Sequence, residues 1–237
     1  MSRNFATSLN GRSSMRPSML AVMAKAPRAG LVKTRLCPPL SPDDAAELAR
    51  AFLLDAVDMV RSVAAARPAV AYAPVGARAF FHAIAPGFAL VAQRGGDLGA
   101  RLSHAFEDLL ADGAPGAIVI GSDVPTLPSA VLGAALERLA GADLVLGPSE
   151  DGGYYLIGLR EPCAALFADM AWSTDVVFEE TMRRASGLGL DVGLLPAWFD
   201  VDTGADLERL EASLAAPGSG AGHTRRFLAE RRAAVRP

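Results

Sequence analysis

Cysteine and histidine are scarce in this sequence. Two cysteines, Cys37 and Cys163, stand among 237 residues without CxxC spacing, which excludes a disulfide framework and a thiolate metal cluster. Such thiol usage fits a reduced, cytoplasmic protein. His82, His104 and His223 lie far apart and lack the spacing of a zinc site. No apolar run approaches the roughly 18 residues of a spanning helix, so no membrane segment is expected. The first 17 residues are polar and rich in Arg and Ser with no apolar h-region. They are not a secretory signal, and 1–17 reads as a disordered tail. A formal net charge of −3 excludes the broad basic excess of a nucleic-acid binder, so any anion site is local.

What is present is the material of one sizeable core. About half the residues are apolar and about a fifth charged, the balance of a globular domain. The length suits a single α/β domain, expected over 18–215. Ser18 to Ala24 is an apolar run without alternation, as in the middle of a parallel sheet. Ser41-Pro42-Asp43-Asp44 supplies an N-cap, a first-turn proline and two acids, predicting a helix from there to about Ala66. Further strands are predicted at Ala69–Ala73, Phe88–Ala92, Ala117–Ile120, Asp143–Leu146 and Val192–Ala197. Helical patterns fall near Ala77–Ala85, Leu98–Ala111, Ser129–Leu139 and Val176–Arg184, and from Gly204 behind a Thr203 cap. This alternation predicts a three-layer α/β/α fold with a mixed, mostly parallel sheet. The mixture comes from Gly152 to Leu159, a strand too close to its predecessor for a crossover helix. Residues 216–237 read as a Pro/Gly/Ser linker and a basic helix.

Several stretches could carry chemistry. "KAPRAGLVKTRL" puts Lys25, Arg28, Lys33 and Arg35 around Gly30 directly after the first strand. A P-loop would need a glycine where Lys25 stands and a lysine directly after Gly30, so that motif is excluded. What remains is a cationic loop beyond the carboxyl end of a strand, where α/β sheets bind ligands, or a solvated basic loop. "VIGSDVP" ends a strand on Asp123, which could ligate Mg²⁺ with substrate phosphates or simply cap a turn. "FDVDT" places Asp200 and Asp202 two residues apart after a later strand. Asp202 joined to Asp123 would give a two-carboxylate metal site. "RGGDLGAR", with Asp97, Leu98 and Gly99, is a glycine-rich entry to a helix, suited to a close-lying ligand or to a tight turn. "SEDGGYY" sets Glu150 and Asp151 before Gly152, Gly153 and Tyr154, a set that could hold a polar acceptor or bury its aromatics in a strand.

Together, "MAKAPRAGLVKTRL", "GGDLGARL", "GSDVPTLP", "EDGGYYLIGL", "WST" and "DVDTGADLERL" resemble the bacterial DUF2064 group, also called radical-SAM/selenodomain-associated transferase 1. That group is related to glycosyltransferases of the GT-A fold, and the likeness runs from about Met19 to Leu210. It implies a nucleotide-diphospho-sugar transferase-like fold. It implies nucleotide phosphates on Lys25, Gly30, Lys33 and Arg35, and the base or ribose near Asp97, Leu98 and Gly99. The strand-end acid of the family falls on Asp123 and its late acid on Asp202. Proline and alanine replace the glycines of the usual GxGxR-type first loop.

These readings combine into an expected Mg²⁺- or Mn²⁺-dependent transferase, with Asp123 and Asp202 holding the metal on a donor diphosphate. Lys33, Asp123 and Asp151 are the expected catalytic residues, Asp151 or Glu150 serving as acceptor group or general base. A nucleotide or nucleotide-sugar donor and a small-molecule acceptor are the expected partners. Glycosyl transfer of the GT-A type, releasing a nucleoside diphosphate, is the expected reaction, and nucleotidyl transfer, releasing pyrophosphate, is the alternative. A non-catalytic nucleotide-binding module is the alternative of another class.

Overall fold

A computed structural model describes residues 16–215 and 220–235. The tail expected over 1–17 and the linker from 216 therefore lie largely outside the described residues. Among these, seven strands form one sheet in the order β3-β2-β1-β4-β6-β5-β7. The strands are β1 (Met19–Lys25), β2 (Arg67–Ala73), β3 (Ala89–Ala92), β4 (Ala117–Gly121), β5 (Leu144–Pro148), β6 (Tyr154–Leu159) and β7 (Val192–Leu194). All neighbours pair in parallel except β6, which is antiparallel to both β4 and β5. This is the exception expected from the short link before Tyr154. The sheet is mixed and mostly parallel, as the alternation of patterns predicted.

The helices are α1 (Pro42–Arg61), α2 (Arg78–Ile84), α3 (Leu98–Leu110), α4 (Ser129–Leu139), α5 (Val177–Gly187), α6 (Gly204–Leu214) and α7 (Gly222–Val235). Successive β1 side chains point to opposite faces, as the pleat requires. Leu20, Val22 and Ala24 join the layer built on Leu53, Val57, Phe81 and Leu132 from α1, α2 and α4. Met19 and Ala21 join Leu102, Phe106 and Ala185 from α3 and α5 on the other face. Helices thus cover both sides of the sheet.

A third apolar cluster lies at one end of the molecule. It joins Leu36 and Leu40, Leu48 and Phe52 of α1, Val201 ahead of α6, Leu207 and Leu210 within α6, and Leu228 of α7. This cluster fixes the loop after β1 against the segment before α6, and so brings chain regions far apart in sequence to one place. Helix α1 begins as predicted, with Ser41 Oγ accepting from the Asp44 N–H at 3.1 Å. It ends at Arg61 rather than near Ala66, because the Val63 and Ala66 N–H groups drop to three-residue turns onto Val60 and Val63 while the Arg67 N–H already bonds the Ser18 carbonyl beside β1. Sheet pairing overrides the helical propensity of the alanine run.

Candidate active site

The carboxyl ends of β1 and β4 open into a cleft of about 720 Å³, a size suited to a nucleotide-scale ligand. The loop leaving β1 turns at Gly30, whose φ of 74° favours glycine. It reaches Lys33, also left-handed with φ 48°, and is then anchored by the fully buried Leu36. Strand β4 delivers Asp123 two residues after its end. The Asp123 carbonyl accepts the Val201 N–H at 3.0 Å, so the segments bearing Asp123 and Asp202 are pinned side by side. After Asp202 a capping box forms, in which Asp206 Oδ2 accepts from the Thr203 N–H at 2.8 Å and Thr203 Oγ1 caps the Asp206 N–H.

Lys33 sits between the two carboxylates. Its Nζ lies 2.8 Å from Asp123 Oδ2 and 2.7 Å from Asp202 Oδ1, and it donates to the Val201 carbonyl at 2.8 Å. All three ammonium protons are therefore committed. The lysine side chain is 5% exposed, while Asp123 and Asp202 are 42% and 40% exposed to the cleft. Burial pushes the Lys33 pKa down, but the fields and hydrogen bonds of Asp123 and Asp202 carry it above its ordinary value, so it stays charged.

The carboxylates keep capacity for a divalent cation. Each spends one oxygen on Lys33; the second of Asp123 accepts Ser122 Oγ at 3.1 Å. Among the described residues there is no group of three or more His, Cys, Asp or Glu that could hold a metal. A two-carboxylate set still fits Mg²⁺, which typically takes one or two carboxylates and completes its shell with water and phosphate oxygens. Asp200 is not part of the cleft wall. It is half-buried, accepts from Ser149 Oγ at 2.8 Å, and is pushed up to about 7, chiefly by desolvation and further by Asp123, Asp151 and Asp202.

Of the residues singled out in the sequence, Lys25, Lys33, Arg35, Asp97, Leu98, Asp123, Tyr154 and Asp202 line this one cleft. Gly30, Gly99, Glu150, Asp151, Gly152 and Gly153 do not, and each has local work. Asp97 Oδ1 accepts the Ala100 N–H at 2.8 Å and caps α3. A Cβ on Gly99 would stand 2.6 Å from the Phe167 carbonyl oxygen and 2.8 Å from Trp172 Nε1, so the absent side chain makes room for the indole. A Cβ on Gly152 would stand 2.0 Å from the Asp175 carbonyl oxygen. Asp151 Oδ1 accepts the Gly153 N–H at 3.0 Å and closes that turn. Glu150 is paired through both oxygens with Arg209 at 2.5 and 2.8 Å.

Among the lining residues not named as candidates from the sequence, three bring a charge, an indole or a side-chain amide to the cleft. Arg101 adds a cation from the second turn of α3, and its place inside "GGDLGARL" was the available signal. Trp172 supplies an apolar wall, edge-on to Tyr154 with centroids 6.5 Å apart, and its buried indole N–H has no partner among the described residues. Gln93, just after β3, had no motif to mark it.

Comparison with known proteins agrees with this fold. The model of a family described as "Uncharacterized protein conserved in bacteria (DUF2064)" matches residues 56–174. The 2-phospho-L-lactate guanylyltransferase of Methanothermobacter thermautotrophicus is 29% identical over 217 residues, spanning 86% of this chain and 87% of that protein. A crystal structure of a "putative nucleotide-diphospho-sugar transferase" from Desulfovibrio desulfuricans G20 superposes with a TM-score of 0.86 at 33% identity, over 92% of this chain and 96% of the other. A CMP:2-keto-3-deoxy-manno-octonic acid synthetase complexed with CTP shares the fold, with a TM-score of 0.56 at 13% identity over 84% of this chain and 98% of that one. No described helix is long and apolar enough to cross a membrane.

Proposed function

The chain belongs to the DUF2064 family, and from that premise we propose that it is a metal-assisted transferase taking a nucleoside triphosphate and passing the nucleotidyl group to a small-molecule acceptor. The observation that carries this reading is the convergence of Asp123 and Asp202 on Lys33 in a cleft also lined by Lys25, Arg35 and Arg101. The guanylyltransferase relative, matched over most of both chains, supports nucleotidyl transfer.

Asp123 and Asp202 would hold Mg²⁺ or Mn²⁺, which when bound supplies positive charge to the phosphate oxygens. Lys33 has no proton to spare for a phosphate while it bonds both carboxylates and Val201. Its part is to hold the two acids together without mutual repulsion. Lys25, Arg35 and Arg101 then take the role of phosphate ligands. The acceptor oxygen attacks the α-phosphorus in line, the bond to the bridging oxygen breaks, and pyrophosphate leaves with the charge that these cations offset. Fixed cations of this kind are worth on the order of a few kcal/mol to a transition state. Asp151 is tied to Gly153 off the cleft and is not assigned the general base.

Glycosyl transfer from a nucleoside-diphosphate sugar is the second reading, favoured by the likeness to the Desulfovibrio protein. The released product separates the two. Purified protein is incubated with nucleoside triphosphates or nucleotide sugars, Mg²⁺ or Mn²⁺ and an acceptor panel. Pyrophosphate supports nucleotidyl transfer, and nucleoside diphosphate supports glycosyl transfer. Nucleotide binding without turnover points to the non-catalytic module. Failure of every nucleotide to raise the melting temperature with either metal overturns the reading.

A further inference from the structure

We propose that Arg184 is a positioning residue for nucleotide binding: from outside the cleft it holds segment 164–175 so that Phe167 and Trp172 set the first turns of α3, with Leu98 and Arg101, against the ligand. This rests on the nucleotide reading above and adds to it a residue that touches neither nucleotide nor metal. Arg184 lies in the last turn of α5, its side chain 15% exposed. Its Nε donates to Glu180 Oε1 at 2.7 Å, which fixes the plane of the guanidinium. The fork then donates along one stretch of backbone, Nη1 to the carbonyls of Leu166 and Ala168 and Nη2 to that of Asp169, the last at 3.2 Å.

The carbonyls so gripped lie on both sides of Phe167. The Phe167 ring stacks on Phe106 of α3, with centroids 6.1 Å apart and 6° between the planes. Its carbonyl oxygen faces Gly99, where a Cβ would stand 2.6 Å away. Trp172 lays its indole against the same glycine, and Trp172, Ser173, Leu98 and Arg101 all line the cleft. Contact is therefore continuous from Arg184 through Phe167 and Trp172 to the cleft wall. The path of the segment is strained. Asp169 and Ser173 are left-handed, with φ 50° and 65°, a conformation that non-glycine residues keep where their surroundings over-determine it and that clusters at ligand clamps. Downstream, the segment is pinned where the Phe178 N–H bonds the Gly152 carbonyl at 2.8 Å. Arg184 supplies the upstream anchor, through charge-assisted bonds.

Arg184→Gln removes the charge and the fork, whereas Arg184→Lys keeps a charge for Glu180 but reaches one carbonyl at a time. Both are made in a Trp198→Phe background, which leaves Trp172 as the one tryptophan. Dissociation constants for GTP, ATP, CTP and UTP with Mg²⁺, the Trp172 emission and its quenching by acrylamide are measured on the full chain, well below the melting temperature of each variant. Arg184→Gln is expected to bind the nucleotide that the Arg184 parent binds best about tenfold more weakly. Its Trp172 emission is expected to shift to the red, with greater access to acrylamide. Arg184→Lys is expected to fall between the parent and Arg184→Gln in both readings, and it carries the comparison if Arg184→Gln does not fold. A variant that melts lower but keeps the parent's affinity and Trp172 emission makes Arg184 a brace of the fold alone and overturns the proposal. Weakened binding with Trp172 emission unmoved overturns it too, since the effect would then not pass through this wall. Absence of any nucleotide binding in the wild-type protein is a different failure, which overturns the proposed function and this inference with it.

Discussion

Lys33 and Asp202, 169 residues apart in sequence, lie 2.7 Å apart in the fold, and Asp123 closes the same ammonium from its other side at 2.8 Å. Removing the cation leaves two facing carboxylates with nothing between them. Lys33→Met is expected to cost about 1–3 kcal/mol of stability, the range for a lost hydrogen bond to a charged group, and to lower metal-dependent nucleotide affinity about tenfold or more. Since the Lys33 pKa is raised above 10.5 in the fold, its contribution is complete below pH 10.5 and is lost only as pH climbs through the higher folded value. The variant's deficit in thermal denaturation should thus be constant between pH 6 and 9. An unchanged melting temperature in that window would show that the pair does not stabilise the fold.

Asp123→Asn and Asp202→Asn test the metal assignment separately from the lysine. Each keeps the side-chain volume and an oxygen that can accept from Lys33, but removes a negative charge. Isothermal titration should show Mg²⁺-dependent nucleotide binding reduced about tenfold or more in each single variant. The double variant should fall short of the sum, because both residues act on one ion. Wild-type Mg²⁺ dependence in Asp123→Asn would take that residue out of the site.

The sheet and its odd strand were legible in the sequence because buried parallel strands are short apolar runs and because too few residues precede Tyr154 for a crossover. The positions of Lys33, Asp123 and Asp202 were legible as loop and strand-end residues. That Lys33 would spend its three protons on the protein itself was not, since this depends on the Val201–Asp123 backbone bond and on packing around Leu36. Glu150 and Gly152 showed the limit of local patterns. Their partners, Arg209 and Asp175, lie 59 and 23 residues away, and no motif signals such pairings. Gln93 was silent for the same reason, its amide donating to the backbone carbonyls of Ala24 and Ala71.

Gly99, in the first turn of α3, lies against the indole of Trp172. Gly99→Ala adds a methyl where 2.6 Å is available to the Phe167 carbonyl oxygen, so Trp172 and the loop beneath it must move. Overpacking of this kind typically costs about 1–3 kcal/mol. In a Trp198→Phe background, the fluorescence of Trp172 should shift toward that of a more solvated indole. Unchanged emission and stability would mean that the loop yields freely.

Glu180 is held by Arg183 and Arg184 on α5, and their hydrogen bonds bring its pKa down to about 2. Arg184 also donates to the carbonyls of Leu166, Ala168 and Asp169, the loop leading to Trp172. A carboxyl whose folded pKa is depressed stabilises above its unfolded value of 4.5 and loses that contribution as pH falls toward 2. Glu180→Gln should consequently melt slightly below wild type at pH 7, by about a degree as for an exposed ion pair. The gap should narrow as pH falls below 4.5 and close only below about pH 2. A gap of the same size at pH 2 as at pH 7 would place its origin in packing rather than charge.

Asp55 of α1 caps another helix through space. Its carboxylate accepts from the backbone N–H groups of His223 and Thr224, both at 2.9 Å, and from Thr224 Oγ1 at 2.6 Å, where α7 leaves its first amides without intrahelical partners. Leu228 of α7 then packs into the cluster that holds Leu36 and Leu40, and Arg231 reaches the Pro39 carbonyl at 3.4 Å, so the last helix backs the loop that carries Lys33. Asp55→Ala strands two backbone donors and a buried hydroxyl, with an expected loss of about 2–3 kcal/mol, or several degrees of melting temperature at roughly 2–4 °C per kcal/mol for a chain of this size. Asp55→Asn keeps one acceptor oxygen and should lose less. Limited proteolysis of the alanine variant should cut ahead of α7 before the sheet is touched, and nucleotide affinity should drop together with helix docking. Equal digestion rates for wild type and Asp55→Ala would mean that α7 is held by its apolar face and not by this carboxylate.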